Sequence, residues 1–183
     1  MYFDTSPSLG LYSARTANMT SPHFTDAESP EHPGWRSWAP SDPTRFNTLL
    51  GPMLYRVDNG MARVRITPEH RHSNVQDNLH GGALLAFIDV ALFAASRGFG
   101  VIEAGSAVTL DLNTQFIASG RIGVPLEAQV ELLKETGRML FLRGLVVQGE
   151  TKVAAFSGTI RKPSTKQNTT PAKAGAQLGN DHC

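Results

Sequence analysis

The sequence predicts an α+β domain in which a curved antiparallel sheet of about six strands wraps one long buried helix. Three observations carry that expectation. Residues 81–96 read GGALLAFIDVALFAAS, where the only non-apolar side chains are Asp89 and Ser96, so a helix here must be covered on nearly every side. Upstream, Asn59-Gly60 sits between two segments that alternate apolar and polar residues, the signature of a two-residue hairpin turn. Downstream come four short β-rich runs separated by Gly, Pro or charged turns.

Residues 1–43 are rich in Ser, Pro, Thr and Asp and follow neither the helical nor the strand period. They are expected to form an N-terminal arm, extended or partly disordered, which Trp35 and Trp38 pin to the domain and which folding does not need. The domain itself is expected over 44–162. It opens with the hairpin MLYRVDNGMARVRITP, continues through the helix, and ends with AVTLDLNTQFI, PLEAQVELLKE, RMLFLRGLVVQ and KVAAFSGTIRK. Residues 163–183 are polar and small, and read as a disordered tail.

Composition excludes several roles. A chain of 183 residues with 40% apolar content can bury one sizeable core. Seventeen Lys and Arg against 16 Asp and Glu give a net charge of +1, which argues against binding nucleic acid. Cys183 is the sole cysteine, so no internal disulfide or CxxC site exists and a reducing compartment fits. By strict residue counting no run reaches the ~18 apolar residues that span a bilayer. A cytoplasmic protein, with no membrane partner, metal or cofactor, is the resulting expectation.

Asp89 is the anomaly. Its neighbours one turn away are Leu85, Ala86, Leu92 and Phe93, which offer neither a cation nor a donor. An unpaired carboxylate in apolar surroundings costs several kcal/mol. It also lies too deep in the helix to act as a cap. Either a group on a neighbouring strand satisfies it structurally, or it serves chemistry.

His80-Gly81-Gly82 opens the same helix, and two residues without side chains leave the first backbone N–H groups open to an incoming carbonyl. Such a helix start favours developing negative charge. Yet nine residues at ~100° each set His80 and Asp89 about 180° apart around the axis, and about 13.5 Å along it. One helix cannot bring both to one site, so if both serve chemistry Asp89 must face the glycine-rich start of a helix from another subunit. That is the same dimer a helix apolar all round requires. A carboxylate opposite a pocket of N–H groups suits hydrolysis of an acyl bond.

The run NVQDNLHGGALLAFID, followed by AVTLDLNTQF and a final strand ending AAFSGTIRK, resembles the hotdog-fold acyl-CoA thioesterases of the PaaI-like group over about residues 45–162. Its most specific part is Asn-x5-His-Gly-Gly-x6-Asp, met by Asn74, His80, Gly81, Gly82 and Asp89. The resemblance implies that the Gly81 N–H polarises the thioester carbonyl while Asn74 and His80 shape that half-site. Asp89 of the other subunit then acts as nucleophile or as general base on water. Thr109 is implied to hold the attacking water, and Gly82 to help bind substrate. Coenzyme A phosphates would meet basic residues at strand ends, for which Arg138, Arg161 and Lys162 are the candidates. The implied assembly is a homodimer or a dimer of dimers.

Two other readings are weighed. An acyl-thioester hydratase or dehydratase on this fold pairs its His and carboxylate in one pocket, contrary to the spacing of His80 and Asp89. A non-catalytic acyl-CoA-binding regulator needs no buried carboxylate and usually carries a DNA-binding module, for which the arm has no helix-turn-helix pattern. Phe87, Phe93 and Phe116 are equally suited to a core or to an acyl pocket.

Overall fold

The computed structural model describes residues 23–102 and 107–163. It contains eight strands: β1 (Phe24–Glu28), β2 (Arg36–Pro40), β3 (Met53–Asp58), β4 (Met61–Ile66), β5 (Val108–Phe116), β6 (Leu126–Glu135), β7 (Met139–Gln148) and β8 (Thr151–Arg161), with one α-helix, α1 (Gly81–Gly98). They form one antiparallel sheet in the order β1-β2-β3-β4-β6-β7-β8-β5. β3 and β4 are joined by the expected turn, with Asn59 at φ 49° and Gly60 at φ 77° between the paired residues Asp58 and Met61.

Alternation fills the core. Ala62, Val64 and Ile66 of β4, Leu126, Ala128 and Val130 of β6, Leu140 and Leu142 of β7, and Phe156 and Ile160 of β8 turn inward and meet Leu84, Phe87, Ile88, Ala91 and Leu92 of α1. By length and composition α1 could cross a membrane, the reverse of the strict count made from sequence. In this structure it packs on the sheet instead. Its uncovered strip is Gly82, Leu85, Ala86, Asp89 and Phe93, which recur at helical spacing and are exposed or half-buried.

Sheet spacing is tight where β6, β7 and β8 meet. A Cβ at Gly144 would stand 2.1 Å from the Gln129 carbonyl oxygen and 2.6 Å from Phe156 Cζ. The first of these atoms is backbone and cannot swing aside. Gly144→Ala is therefore expected to destabilise the domain by about 1–3 kcal/mol, readable as a lower midpoint in urea unfolding.

The sequence expectation of about six strands is exceeded by two, because part of the arm is built into the sheet. β1 pairs with β2, and β2 with β3 through Arg36–Tyr55, Ser37–Leu54 and Trp38–Met53. Trp38, 6% exposed, stacks on Phe24 with ring centroids 4.7 Å apart. The guanidinium groups of Arg56 and Arg65 both lie over the Trp35 ring, at 4.7 and 4.4 Å from its centroid. The Asp26 carboxylate accepts hydrogen bonds from Arg36 Nε at 2.7 Å, the Tyr55 hydroxyl at 2.9 Å and Arg97 Nε at 2.5 Å, tying the hairpin to the last turn of α1. Burial pushes the Asp26 carboxyl up, but the bonds from Arg97, Arg36 and Tyr55 outweigh it and hold its pKa below the ordinary 3.8. Burial first, and Asp26 second, push the Tyr55 hydroxyl up to about 12. These contacts make residues 24–40 part of the sheet, which counts against the expectation that folding does not need the arm. The remainder of the arm before residue 23, and the tail beyond 163, lie outside the described residues.

Candidate active site

The chain reaches the helix start through a short 3-10 turn, His70–His72, and a loop held largely by its own polar groups. Asn74 Oδ1 accepts from the N–H groups of Gln76 at 2.9 Å and Asn78 at 3.2 Å, closing a turn in which Asp77 takes a left-handed φ of 57°. Asn74 thus shapes the loop from within. His80 caps the helix: its Nδ1 accepts from the Gly82 N–H at 2.9 Å, and its carbonyl accepts from the Leu84 N–H at 3.0 Å.

The two glycines are therefore not equivalent. Gly82 already spends its N–H on His80, and a Cβ there would stand 3.0 Å from His80 Nδ1. Among the described residues nothing accepts from the Gly81 N–H, which stands at the positive end of an 18-residue helix. The Phe116 ring, 57% exposed at the far end of β5, would meet a Gly81 Cβ at 3.5 Å and so borders this N–H. Of the three phenylalanines, Phe87 is fully in the core, while Phe93 and Phe116 keep exposed surface.

Asp89 lies two turns further along α1, about 12 Å from Gly81 at 1.5 Å per residue. The Thr109 hydroxyl donates to Asp89 Oδ1 at 2.6 Å, the short distance of a bond to a carboxylate. The irregularity between Thr109 and Asp111 interrupts the β5–β8 register beside this contact, as bulges near re-aimed side chains do. The hydroxyl thus grips the carboxylate directly. Among the described residues no cation pairs with Asp89 and no donor reaches its second oxygen, leaving that oxygen free to accept a proton or to attack.

The basic candidates gather at the same end of the sheet. Val108 and Met139 both pair with Arg161, and the Lys162 N–H donates to the Arg138 carbonyl at 2.8 Å. Lys162 spends its ammonium on Glu135. Arg138 and Arg161 are exposed and form no ion pair among the described residues. Within one chain the structure joins Asp89 with Thr109, and His80 with Gly81 and Gly82, but it does not join these two groups. Among the described residues no cluster of three His, Cys, Asp or Glu is placed to hold a metal ion.

β5 spans the gap. Among the described residues it pairs only with β8, which leaves its other edge open, and it carries Thr109 near one end and Phe116 at the other. Leu110, 50% exposed, and Ile117, 55% exposed, lie on or beside this edge. Missed in the sequence was the placing of Phe116 against Gly81, which depends on a strand 35 residues away and leaves no local signal.

Residues 76–155 match the family model of the thioesterase superfamily. The chain is similar to a mutant form of the phenylacetic acid degradation protein PaaI from Thermus thermophilus, with 26% identity over 67% of this chain and 100% of that one, at TM-score 0.54. It is also similar to the E. coli PaaI protein of the phenylacetic acid degradation operon, with 25% identity over 63% and 81% of the two chains, at TM-score 0.55. A hypothetical thioesterase from Streptococcus pneumoniae, solved with coenzyme A, shares the fold at 16% identity and TM-score 0.55, over 62% of this chain and 88% of that one. No curated protein matches the chain.

Proposed function

We propose that this hotdog-fold protein, a thioesterase of PaaI type by its family match and structural likeness, hydrolyses an acyl-CoA thioester at a site completed by a second copy of the chain. The observation that carries the proposal is the division of labour along β5: a carboxylate held by Thr109 at one end, and an unoccupied helix-start N–H beside Phe116 at the other. Antiparallel pairing of β5 with its own copy about a two-fold axis sets the Thr109 end of one strand against the Phe116 end of the other. The same contact covers the open edge and the apolar strip that contains Asp89.

In the composite site the Gly81 N–H of one subunit donates to the thioester carbonyl oxygen, and the helix dipole stabilises the negative charge that grows there. Asp89 of the other subunit acts by one of two routes. It attacks the carbonyl carbon, expelling coenzyme A thiolate and leaving a mixed anhydride that water cleaves, or it takes a proton from the water that attacks. Thr109 fixes the reactive carboxylate. Asn74 and His80 hold the loop and the helix start, and Arg138 and Arg161 stand where coenzyme A phosphates would need cations. The distance between His80 and Asp89 disfavours a hydratase, which needs both in one pocket.

Gly81→Pro tests the donor cleanly. Gly81 is the first helical residue, where proline is well accommodated, and His80 before it has ψ 134°, which proline favours. The only hydrogen-bonding group lost is the N–H. Mixing Asp89→Ala chains with Gly81→Pro chains is expected to restore roughly one working site per heterodimer, read as free thiol released from a panel of short, medium, long and aromatic acyl-CoAs. Verified heterodimers that stay as inactive as either parent would refute the shared site.

A further inference from the structure

We infer that His72 is a positioning residue for the Gly81 N–H, acting through the loop rather than on substrate; this rests on the reading of Gly81 given above. His72 is 6% exposed and ends a short 3-10 turn, His70–His72. Its ring is bonded on both sides. Nδ1 accepts from the Glu69 N–H at 2.7 Å, so that nitrogen carries no proton. The ring proton is therefore on Nε2, which faces the Leu49 carbonyl at 2.5 Å and donates to it. A neutral imidazole in this one tautomer staples the turn at Phe46–Leu50 to the loop that precedes α1.

The backbone of the same residue carries the constraint onward. The His72 carbonyl accepts from the His80 N–H at 2.8 Å, and Ser73 bridges to Leu79. The His80 carbonyl is held in turn by the Leu84 N–H at 3.0 Å. Both ends of His80 are thus fixed, and with them the plane of the His80–Gly81 peptide, whose N–H is the one left open. The aim of that N–H depends on where His72 holds the His80 backbone, and His72 is itself placed by its two ring bonds. A donor that must meet a developing oxyanion is sensitive to sub-ångström placement.

The test is steady-state kinetics well below the unfolding midpoint. His72→Phe keeps an aromatic ring but removes both ring bonds. It is expected to lower kcat roughly tenfold or more with little change in KM, since the interaction lost belongs to the transition state. His72→Gln can restore the donor to Leu49 and is expected to recover much of that loss. His72→Asn keeps a local acceptor for Glu69 but not the reach to Leu49, and is expected to be intermediate; it serves as the readout if the Phe variant does not fold. In a Gly81→Pro background His72→Phe should cost no further activity, because the group it aims is gone.

Wild-type kcat in folded His72→Phe, with Gly81→Pro inactive, would overturn the inference and leave the Gly81 reading standing. So would additive losses in the double variant. A fully active Gly81→Pro would instead bring down the reading on which the inference rests.

Discussion

Asp89→Asn is expected to give a folded protein that binds acyl-CoA and hydrolyses it at least ~10²-fold more slowly, the usual scale for losing an acid–base group. The substitution keeps the shape of the side chain, and the Thr109 hydroxyl can still donate to the amide oxygen in place of Oδ1. What disappears is the charge, and with it both the nucleophile and the base. No cation among the described residues balances that charge, so its removal should leave thermal stability equal or higher, as at sites where function strains the fold. Thiol release and a melting curve on the same preparation decide the matter. Near-normal turnover with a marked loss of stability would make Asp89 a structural residue and remove the basis for the proposed hydrolysis.

Deleting residues 1–42 is expected to strip the domain of a large part of its stability. The deletion uncovers the β3 edge and leaves Tyr55 and the Arg97 guanidinium without the Asp26 carboxylate. The loss of two paired strands and of the buried Trp38 is large against a total of about 5–15 kcal/mol for a typical domain. A fall in Tm of roughly 10 °C or more, or insolubility, is the expected result. An unchanged melting curve would mean that β1 and β2 merely decorate the sheet.

Asp26→Asn isolates the ionic part of that effect, and pH gives its sign. The folded pKa of Asp26 is depressed below 3.8, so its stabilisation is fully present above that value and is lost as pH falls through the folded pKa. The variant should be less stable than wild type at neutral pH, and the gap should narrow once pH drops below about 3.8. Glu127, held below its ordinary 4.5 by Arg65, Gln129 and Arg63 against the effect of burial, adds to the same acid sensitivity in both proteins.

Legibility followed the range of the interactions. Asn59-Gly60 encodes its turn locally, and the apolar run from Gly81 encodes a helix that must be covered, so both could be read from a few consecutive residues. The separation of His80 and Asp89, half a turn apart around α1 and two and a half turns along it, followed from helix geometry alone. β1 and β2 escaped notice because FTDAE and RSWAP scarcely alternate; they are held by stacked rings and by an Asp26–Arg97 pair 71 residues apart, for which no periodicity exists. Gly82 offered the same apparent chemistry as Gly81 in the sequence, and only the His80 ring tells them apart. His72 was passed over because a buried histidine bonded to backbone leaves no mark on the pattern around it.

The position of β5 governs the order in which the chain can fold as it is made. Its one partner among the described residues, β8, begins at Thr151, although β5 itself is complete at Phe116. At ~5–20 residues added per second, the emerging chain spends seconds with α1 made but its sheet unfinished. During that interval an 18-residue apolar helix has β1 to β4, and then β6 and β7 as they emerge, but neither β8 nor a docked β5 to shelter it. Nascent chains stalled before β8 should therefore be strong clients of holdase chaperones, whereas chains released after Arg161 should escape them.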